Sequence, residues 1–292
     1  KGFDVIMPWG YAVWEHIQKI FDALIKEKGV VNAYFPLLIP ERIIQTEEKH
    51  LEGFKAETAI VTKAGGEDLE EPLYIRPTSE TIMYYMYALW IRSHNDLPLL
   101  INQWNNVVRF DTKVTRPFIR GREFLWQEGH TAHATQEDAR KWVDIFVGLY
   151  AKVYESLGME ALILVRPKSD TFPGADFSVV FDTVMKDGRV IQGPDCHMLG
   201  QHFSKPFNIT FVDEHQEKKH VWQLSWGMTT RQIGAVIMHH GDDRGAFLPP
   251  AIAPHQVVVV PILFKDSEAK VMKQSQIVAD ELKKQGIRVY LD

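Results

Sequence analysis

The chain has 292 residues, 45% of them hydrophobic and 11% aromatic, which is enough apolar side chain for a large buried core and excludes a disordered polymer. Its formal charge of −5 excludes a global positive field, so contact with nucleic acid has to come from local basic patches. The single cysteine, Cys196, rules out an internal disulfide framework or a Cys-rich zinc module and fits an intracellular setting. No run of about twenty apolar residues is present to cross a membrane, and the opening KGFDVIMPWG lacks the pattern of a signal peptide. Beginning without Met and stopping at VYLD in what reads as mid-strand, the sequence is expected to be trimmed at both ends.

Over residues 11–28, Val13, Ile17, Ile20, Phe21 and Leu24 recur at helical spacing, and Gly29 stands where a left-handed cap belongs, predicting a long amphipathic helix. NAYFPLLIPE follows as a strand in which Pro36 and Pro40 each remove a ladder donor. It belongs at an edge, either an ordinary blunted one or a subunit boundary. A polar passage over residues 51–73, with Gly65 and Gly66, leads into the strand PLYIRPTSE. Pro77 stops it, and Thr78, Ser79 and Glu80 open a helix through MYYMYALWIR. These residues read first as a cap with a dipole-favoured acid. The alternative is that Glu80 points into a pocket and joins Thr78 in receiving an ammonium group.

Residues 104–135 hold the densest chemistry. At strand period Asn105, Val107, Arg109 and Asp111 share one face, and after a polar loop Phe124, Trp126, Glu128 and His130 share another. Lys113, Arg116, Arg120 and Arg122 crowd the loop between them. Guanidinium forks grip polyphosphates by bidentate contacts, so a nucleoside triphosphate is the natural ligand. An aromatic ring, a carboxylate and an imidazole side by side suit a small cationic amine. The same residues also read as a solvent-facing antiparallel pair with solvated charges, and the pattern by itself leaves both open.

Thr135 and Asp138 have capping-box spacing, with Asp for the usual Glu, ahead of the helix QEDARKWVDIFVGLYAKVYESL that Gly158 closes. ALILVRP reads as a strand, SVVFDTVM and RVIQG as a hairpin about KDG, and NITFVDE and HVWQLSWG as further antiparallel sheet. Hairpins in place of helical crossovers argue against a doubly wound nucleotide fold. Thr229, Thr230 and Arg231 open another helix, where a cation opposes the dipole and points to an anion nearby. His239, His240, Asp242 and Asp243 read as a helix end and a turn, not a metal site, because adjacent histidines on a helix point different ways. No HExxH, Walker or GxSxG pattern is present. From His255 the texture changes. HQVVVVPIL, a helix carrying Val271, Met272, Val278, Ala279 and Leu282, and IRVYLD predict a β-α-β unit with parallel strands buried on both faces, a second domain beyond a seam in FLPPAIAP.

Over essentially its whole length, the sequence closely resembles the class II prolyl-tRNA synthetases in their archaeal and eukaryotic-type form. YFPLLIPE is similar to the family's first motif, VVRFD with REFLWQEGH to its second, and GMTTRQIGAVIMHHGDDRGAFLPP to its third. RPTSE, QWNNVVR and REFLWQEGH together are particular to the prolyl enzyme. The resemblance implies an α+β fold, the class II antiparallel sheet flanked by helices over residues 1–253, then the start of an α/β anticodon-binding domain over residues 254–292. It implies activation of L-proline with ATP to prolyl-adenylate, transfer to the 3′ end of tRNA(Pro), a homodimer through the first-motif strand, and a cytoplasmic enzyme with no membrane contact.

By the same resemblance, Thr78 and Glu80 receive the proline amine, and Trp126, Glu128, His130, Phe172 and His197 wall its pocket. Arg109 borders proline and holds the α-phosphate, Arg120 and Arg231 hold the outer phosphates, Thr229 lies beside the nucleotide, Phe124 stacks on adenine, and Gln192 lies near Mg2+. Two positions depart from the family pattern at the ATP site. Asp111 stands where Glu is usual, and Pro194, Asp195, Cys196 and His197 replace Gly-Thr-Ser-His, so that Asp195 brings a carboxylate where a hydroxyl is expected. The competing reading is a non-catalytic paralogue acting as a regulatory or RNA-binding module. Such proteins lose the phosphate-binding arginines, whereas Arg109, Arg120 and Arg231 are all present.

Overall fold

A computed structural model describes residues 1–48 and 57–292; residues 51–56 of the polar passage lie outside them. Helix α1 (Pro8–Lys26) buries Val13, Trp14, Ile17, Phe21 and Ile25 along one face. Pro8 occupies its first turn, where the missing N–H is no loss, and Gly29 reverses the chain at φ 82°. The segment expected to be one edge strand is two, β1 (Val31–Asn32) and β2 (Leu38–Pro40), which belong to different sheets. Between them the Phe35 N–H donates to the Gln103 side chain and Pro36 has no N–H to offer, so no ladder runs through. Both pieces do lie at sheet edges.

Helix α2 (Glu41–Glu48) leads to β3 (Ile60–Ala64) and β4 (Glu67–Ile75), which form a three-stranded sheet with β2 in the order β2-β4-β3. Beyond Pro77, α3 (Glu80–Trp90) begins. The chain then builds its main sheet from β5 (Leu99–Val108) and β6 (Glu123–His133), crosses back along α4 (Gln136–Ser156), and adds β7 (Leu162–Val165), β8 (Phe177–Val184) and β9 (Val190–Gly200). A separate hairpin, β10 (Thr210–Val212) with β11 (Lys218–His220), precedes β12 (Trp222–Thr229) and α5 (Arg231–His240). The seven strands run β1-β5-β6-β12-β9-β8-β7. Every neighbouring pair is antiparallel except β1 with β5. β9 continues well past RVIQG, so Asp195 and His197 sit on a strand and not in a loop.

Helices α1 and α4 cover one face of this sheet, where Trp226 stacks on Phe146 with ring centres 4.1 Å apart. At the start of α4, Thr135 Oγ1 accepts from the Asp138 N–H at 3.1 Å. The other half of the expected capping box is absent, because the Asp138 carboxylate pairs with His133 Nδ1 at 2.7 Å. On the opposite face, α3 packs Tyr84 and Tyr87 with Phe203 and Phe207 in a second cluster and leaves the middle of the sheet open.

After the main sheet, β13 (Val257–Val259) and β14 (Val289–Leu291) pair in parallel around α6 (Glu268–Lys284). The apolar run is not buried on both faces as expected. Its strand is short, Val258 is 52% exposed, and Ala279 is the buried residue of α6. One helix against two strands covers only one side. Arg288, just ahead of β14, ties this unit to residues 250–253, donating to the carbonyls of Pro250 at 2.7 Å and of Ala251 and Ala253 at 3.0 Å. No helix among the described residues is long and apolar enough to cross a membrane.

Gly129 lies directly opposite Trp226 in the β6–β12 register, and a methyl group there would overlap the indole. Gly129→Ala is expected to lower stability by about 3 kcal/mol, the upper range for overpacking a rigid core, measured by denaturant unfolding.

Candidate active site

The open sheet face is built in rows, because residues directly opposite on antiparallel strands share a side. One row runs His130 on β6, Ser225 on β12, His197 on β9 and Ser178 on β8. The next runs Gln103 on β5, Glu128, Gly227 and Asp195, and a third joins Asn105, Trp126 and Thr229. Gly227 keeps the centre of the floor low. Phe172 stacks on His197 with ring centres 4.9 Å apart and forms a side wall. The resulting cavity, about 250 Å³, is lined by Thr78, Glu80, Arg109, Trp126, Glu128, His130, Phe172, Gln192, Asp195 and His197.

Three ionisable groups crowd its inner end, with Glu80 5%, Glu128 2% and His130 1% exposed. This burial excludes the solvated-pair reading of the strands. The cap reading fails for Thr78 and Ser79, since no side chain caps α3, while Glu80 does stand as an acid in its first turn. Instead the Thr78 hydroxyl donates to Glu80, and Ser79 gives both its hydroxyl and its N–H, the latter at 3.1 Å, to Glu128. Glu128 also accepts from Asn105 Nδ2 at 2.6 Å and Gln103 Nε2 at 3.2 Å, and meets His130 Nε2 at 3.1 Å. The Tyr84 hydroxyl lies 3.0 Å from His130 Nδ1. Among the described residues, Glu80, Glu128 and His130 are the group whose donors could converge on a metal, but Glu80 is engaged with Thr78, Glu128 with Ser79 and His130, and His130 with Tyr84.

Burial alone would raise Glu128, yet the hydrogen bond and charge of His130, with the bonds from Ser79 and Asn105, hold its carboxyl below the ordinary value. Burial would likewise lower His130, but the charge of Glu80, then the bond and charge of Glu128, raise it above 6.5.

A second cavity of about 130 Å³ adjoins the first through Arg109 and is lined by Asp111, Phe118, Arg120, Phe124, Thr229 and Arg231. Arg109 Nε donates to the Pro77 carbonyl at 2.7 Å, and its guanidinium carbon lies 5.4 Å from the Phe124 ring centre and 5.2 Å from that of Trp126. Arg120 Nε donates to Thr112 Oγ1 at 2.9 Å; Arg231 donates to the carbonyls of Ile119 at 3.0 Å and Gln192 at 3.2 Å. None of the three forms an ion pair among the described residues. Burial, opposed by the charge of Asp195 and reinforced by those of Arg120 and Arg109, lowers the pKa of Arg231. A cluster of this kind is stabilised by an anion.

The four loop cations do not act as one grip. Arg120 faces this cavity, while Arg122 folds onto Phe110 at 5.0 Å and Arg116 borders a different groove. Thr230, at the N-cap of α5, makes no side-chain cap; Thr229 Oγ1 accepts from the Arg231 N–H at 3.0 Å instead. Sequence reasoning passed over Gln103, Ser225 and Arg166, which meets Asp182 at 2.8 Å on the cavity wall. Extending the strand period two residues back from Asn105 and from Gly227 reaches the first two. Arg166 carries no such signal.

A buried amine-sized pocket opening onto an arginine-lined cavity, on an antiparallel sheet backed by helices, defines a class. The chain belongs to the tRNA synthetase class II core domain family (G, H, P, S and T), whose model matches residues 54–240. Within that family it is similar to proline–tRNA ligases. It is 49% identical over 293 residues to the proline–tRNA ligase of Natranaerobius thermophilus, covering 100% of this chain and 60% of that protein. Among solved structures, prolyl-tRNA synthetase of Cryptosporidium parvum complexed with halofuginone and AMPPNP superposes with a TM-score of 0.93 at 47% identity. The Giardia lamblia enzyme in complex with prolyl-adenylate gives 0.96 at 39%. Each match covers 100% of this chain and 60% of the solved one. The chain thus spans three fifths of the length of the relatives it matches.

The electrostatics of the buried end are open to direct measurement. A raised His130 contributes stability that is complete below the unfolded value of 6.5 and is lost as pH rises through the folded value. An NMR titration of His130 is expected to give a midpoint above 6.5. In Glu128→Gln, where the raising bond and charge of Glu128 are gone and burial remains, the midpoint should fall.

Proposed function

We propose that this chain activates L-proline with ATP to prolyl-adenylate and pyrophosphate and transfers the prolyl group to the 3′ end of tRNA(Pro). The observation that carries the reading is the convergence of Arg109, Arg120 and Arg231, which form no ion pair among the described residues, on a cavity that adjoins a buried amine-sized pocket. The prolyl-adenylate held by the similar Giardia enzyme supports it. A non-catalytic paralogue would have no use for three guanidinium groups aimed by backbone carbonyls and a hydroxyl at one cavity.

In this mechanism the secondary ammonium of proline meets Glu80 and Thr78, its ring lies among Trp126, Phe172 and His197, and Glu128 and His130 fix the end of the pocket. The proline carboxylate attacks the α-phosphorus in line, the bond to the bridging oxygen breaks, and pyrophosphate leaves; no covalent enzyme intermediate forms. Arg109, on both cavities, neutralises charge on the α-phosphate, while Arg120 and Arg231 hold the outer phosphates. Phe124 stacks on adenine, with Thr229 and the shortened Asp111 beside it. Catalysis then consists of positioning and of cations fixed where charge develops.

Mg2+ fits the same wall chemically. Gln192 and Asp195 are neighbours there, linked by a 3.2 Å bond from Gln192 Nε2, and offer the hard oxygen donors this ion prefers. When bound it supplies further charge neutralisation on the phosphates. The carboxylate of Asp195, like-charged to ATP, is offset by Arg231 and would be offset further by this ion.

The wider architecture proposed is a catalytic domain over residues 1–253, the first part of an anticodon-binding domain over residues 254–292, and a homodimer across the edge formed by the first-motif strand. Exposed Val31, Tyr34 and Leu38 on that edge support the dimer. The same reading makes the enzyme cytoplasmic, in keeping with one buried, unpaired cysteine, Cys196.

ATP–pyrophosphate exchange with proline tests the reading. Arg109→Ala is expected to lower kcat/KM by about a hundredfold or more, as for loss of other preorganised charge contacts. Glu80→Gln should raise KM for proline about tenfold and leave KM for ATP near its original value. An Arg109→Ala protein with unimpaired exchange would refute the assignment.

A further inference from the structure

The base of the arginine loop is tied to the first residues of the chain, a contact that none of the site roles above uses. Gly2 is buried at φ 84°, and its carbonyl accepts from two consecutive loop amides, Arg122 at 2.7 Å and Glu123 at 3.0 Å. The carbonyl of Arg122 in turn accepts from the Arg109 N–H at 2.7 Å. A single residue therefore links Gly2 to the arginine that borders both cavities. The fit admits only glycine: a Cβ on Gly2 would stand 2.8 Å from Thr115 Cγ2 and 2.9 Å from the Arg122 nitrogen, and the positive φ would be strained besides. Phe3 then packs on Phe110 at 6.1 Å, the ring that also carries the Arg122 guanidinium. At the far end of the loop, Ile119 accepts from Arg231 Nε at 3.0 Å. The loop is thus held at its tip by one phosphate-facing arginine and at its base by Gly2.

We propose that Gly2 is a positioning residue for ATP: through the peptide of Arg122 it fixes Arg109, and with it the base of the loop, before the nucleotide arrives. This rests on the nucleotide reading given above. A loop released at its base has to be ordered by the ligand, and the free energy so used is lost from affinity. The amine end of the pocket, assembled by α3 and the sheet, has no such dependence.

Gly2→Ala separates the two. In pyrophosphate exchange, KM for ATP is expected to rise about tenfold while KM for proline stays within about twofold. Hydrogen exchange at the Arg122 and Glu123 amides should accelerate with the core strands still protected. An unchanged KM for ATP, or an equal rise in both constants, overturns the proposal. Should Gly2→Ala fail to fold, Phe3→Ala keeps the glycine but removes the contact with Phe110 that holds the Gly2 segment against the loop, and so loosens the same tie. Its expected rise in KM for ATP is about threefold, and no rise is equally fatal. Calorimetric binding of a non-hydrolysable ATP analogue gives the same comparison without catalysis. A wild-type protein that binds the analogue but exchanges nothing sinks the proline-activation reading and leaves the variant's Kd to decide the role of Gly2; one that binds no analogue sinks both.

Discussion

A buried carboxylate organises this site. Glu128 is withdrawn from water in the middle of the sheet, which would cost several kcal/mol for an unpaired charge. It is kept ionised by donors from three directions: Ser79 ahead of α3, Gln103 and Asn105 on β5, and His130 on its own strand. Those bonds are also structural links, since they fasten the start of α3 to two strands of the sheet. Glu80 and Thr78 are placed as a consequence, one residue to either side of Ser79. His130 is in turn held between Glu128 and the hydroxyl of Tyr84, so the acid end of the pocket is cross-linked from the sheet to α3.

The basic end is built on the opposite plan. Its arginines spend one or two N–H groups on backbone carbonyls or a hydroxyl, which aims them, and among the described residues no carboxylate forms an ion pair with them. Aiming without neutralising leaves strong cations poised and mutually repelling, a state that an incoming polyphosphate relieves. The two ends meet at Arg109, whose Nε is fixed by the carbonyl of Pro77. The proline that stops β4 therefore helps to orient the group shared by both cavities, and the rigidity of the acid end is passed to the basic one.

Asp195 shows how a departure from a family pattern is absorbed locally. It faces the cavity with Gln192 Nε2 at 3.2 Å and His197 Nε2 at 3.4 Å, and its charge favours the protonated form of Arg231. The added negative charge thus falls where positive charge is in excess.

Periodicity and turn chemistry in the sequence determined α1, α4, the strands on either side of the arginine loop and the antiparallel character of the sheet, because each of these rests on local spacing of apolar, capping and glycine residues. Motif likeness also named many of the residues that line both cavities, though not Arg166, Ser225 or Phe118. Only the tertiary structure decided that Ser79 spends its side chain on Glu128 and not on a helix cap, that the segment around Pro36 divides between two sheets, and that Arg122 turns away onto Phe110. Each of those outcomes depends on a partner far along the chain: Glu128 for Ser79, Gln103 for Phe35, Phe110 and Gly2 at the base of the loop for Arg122. Local pattern states what a residue can do, and which of its possible partners is present is a matter of long-range packing.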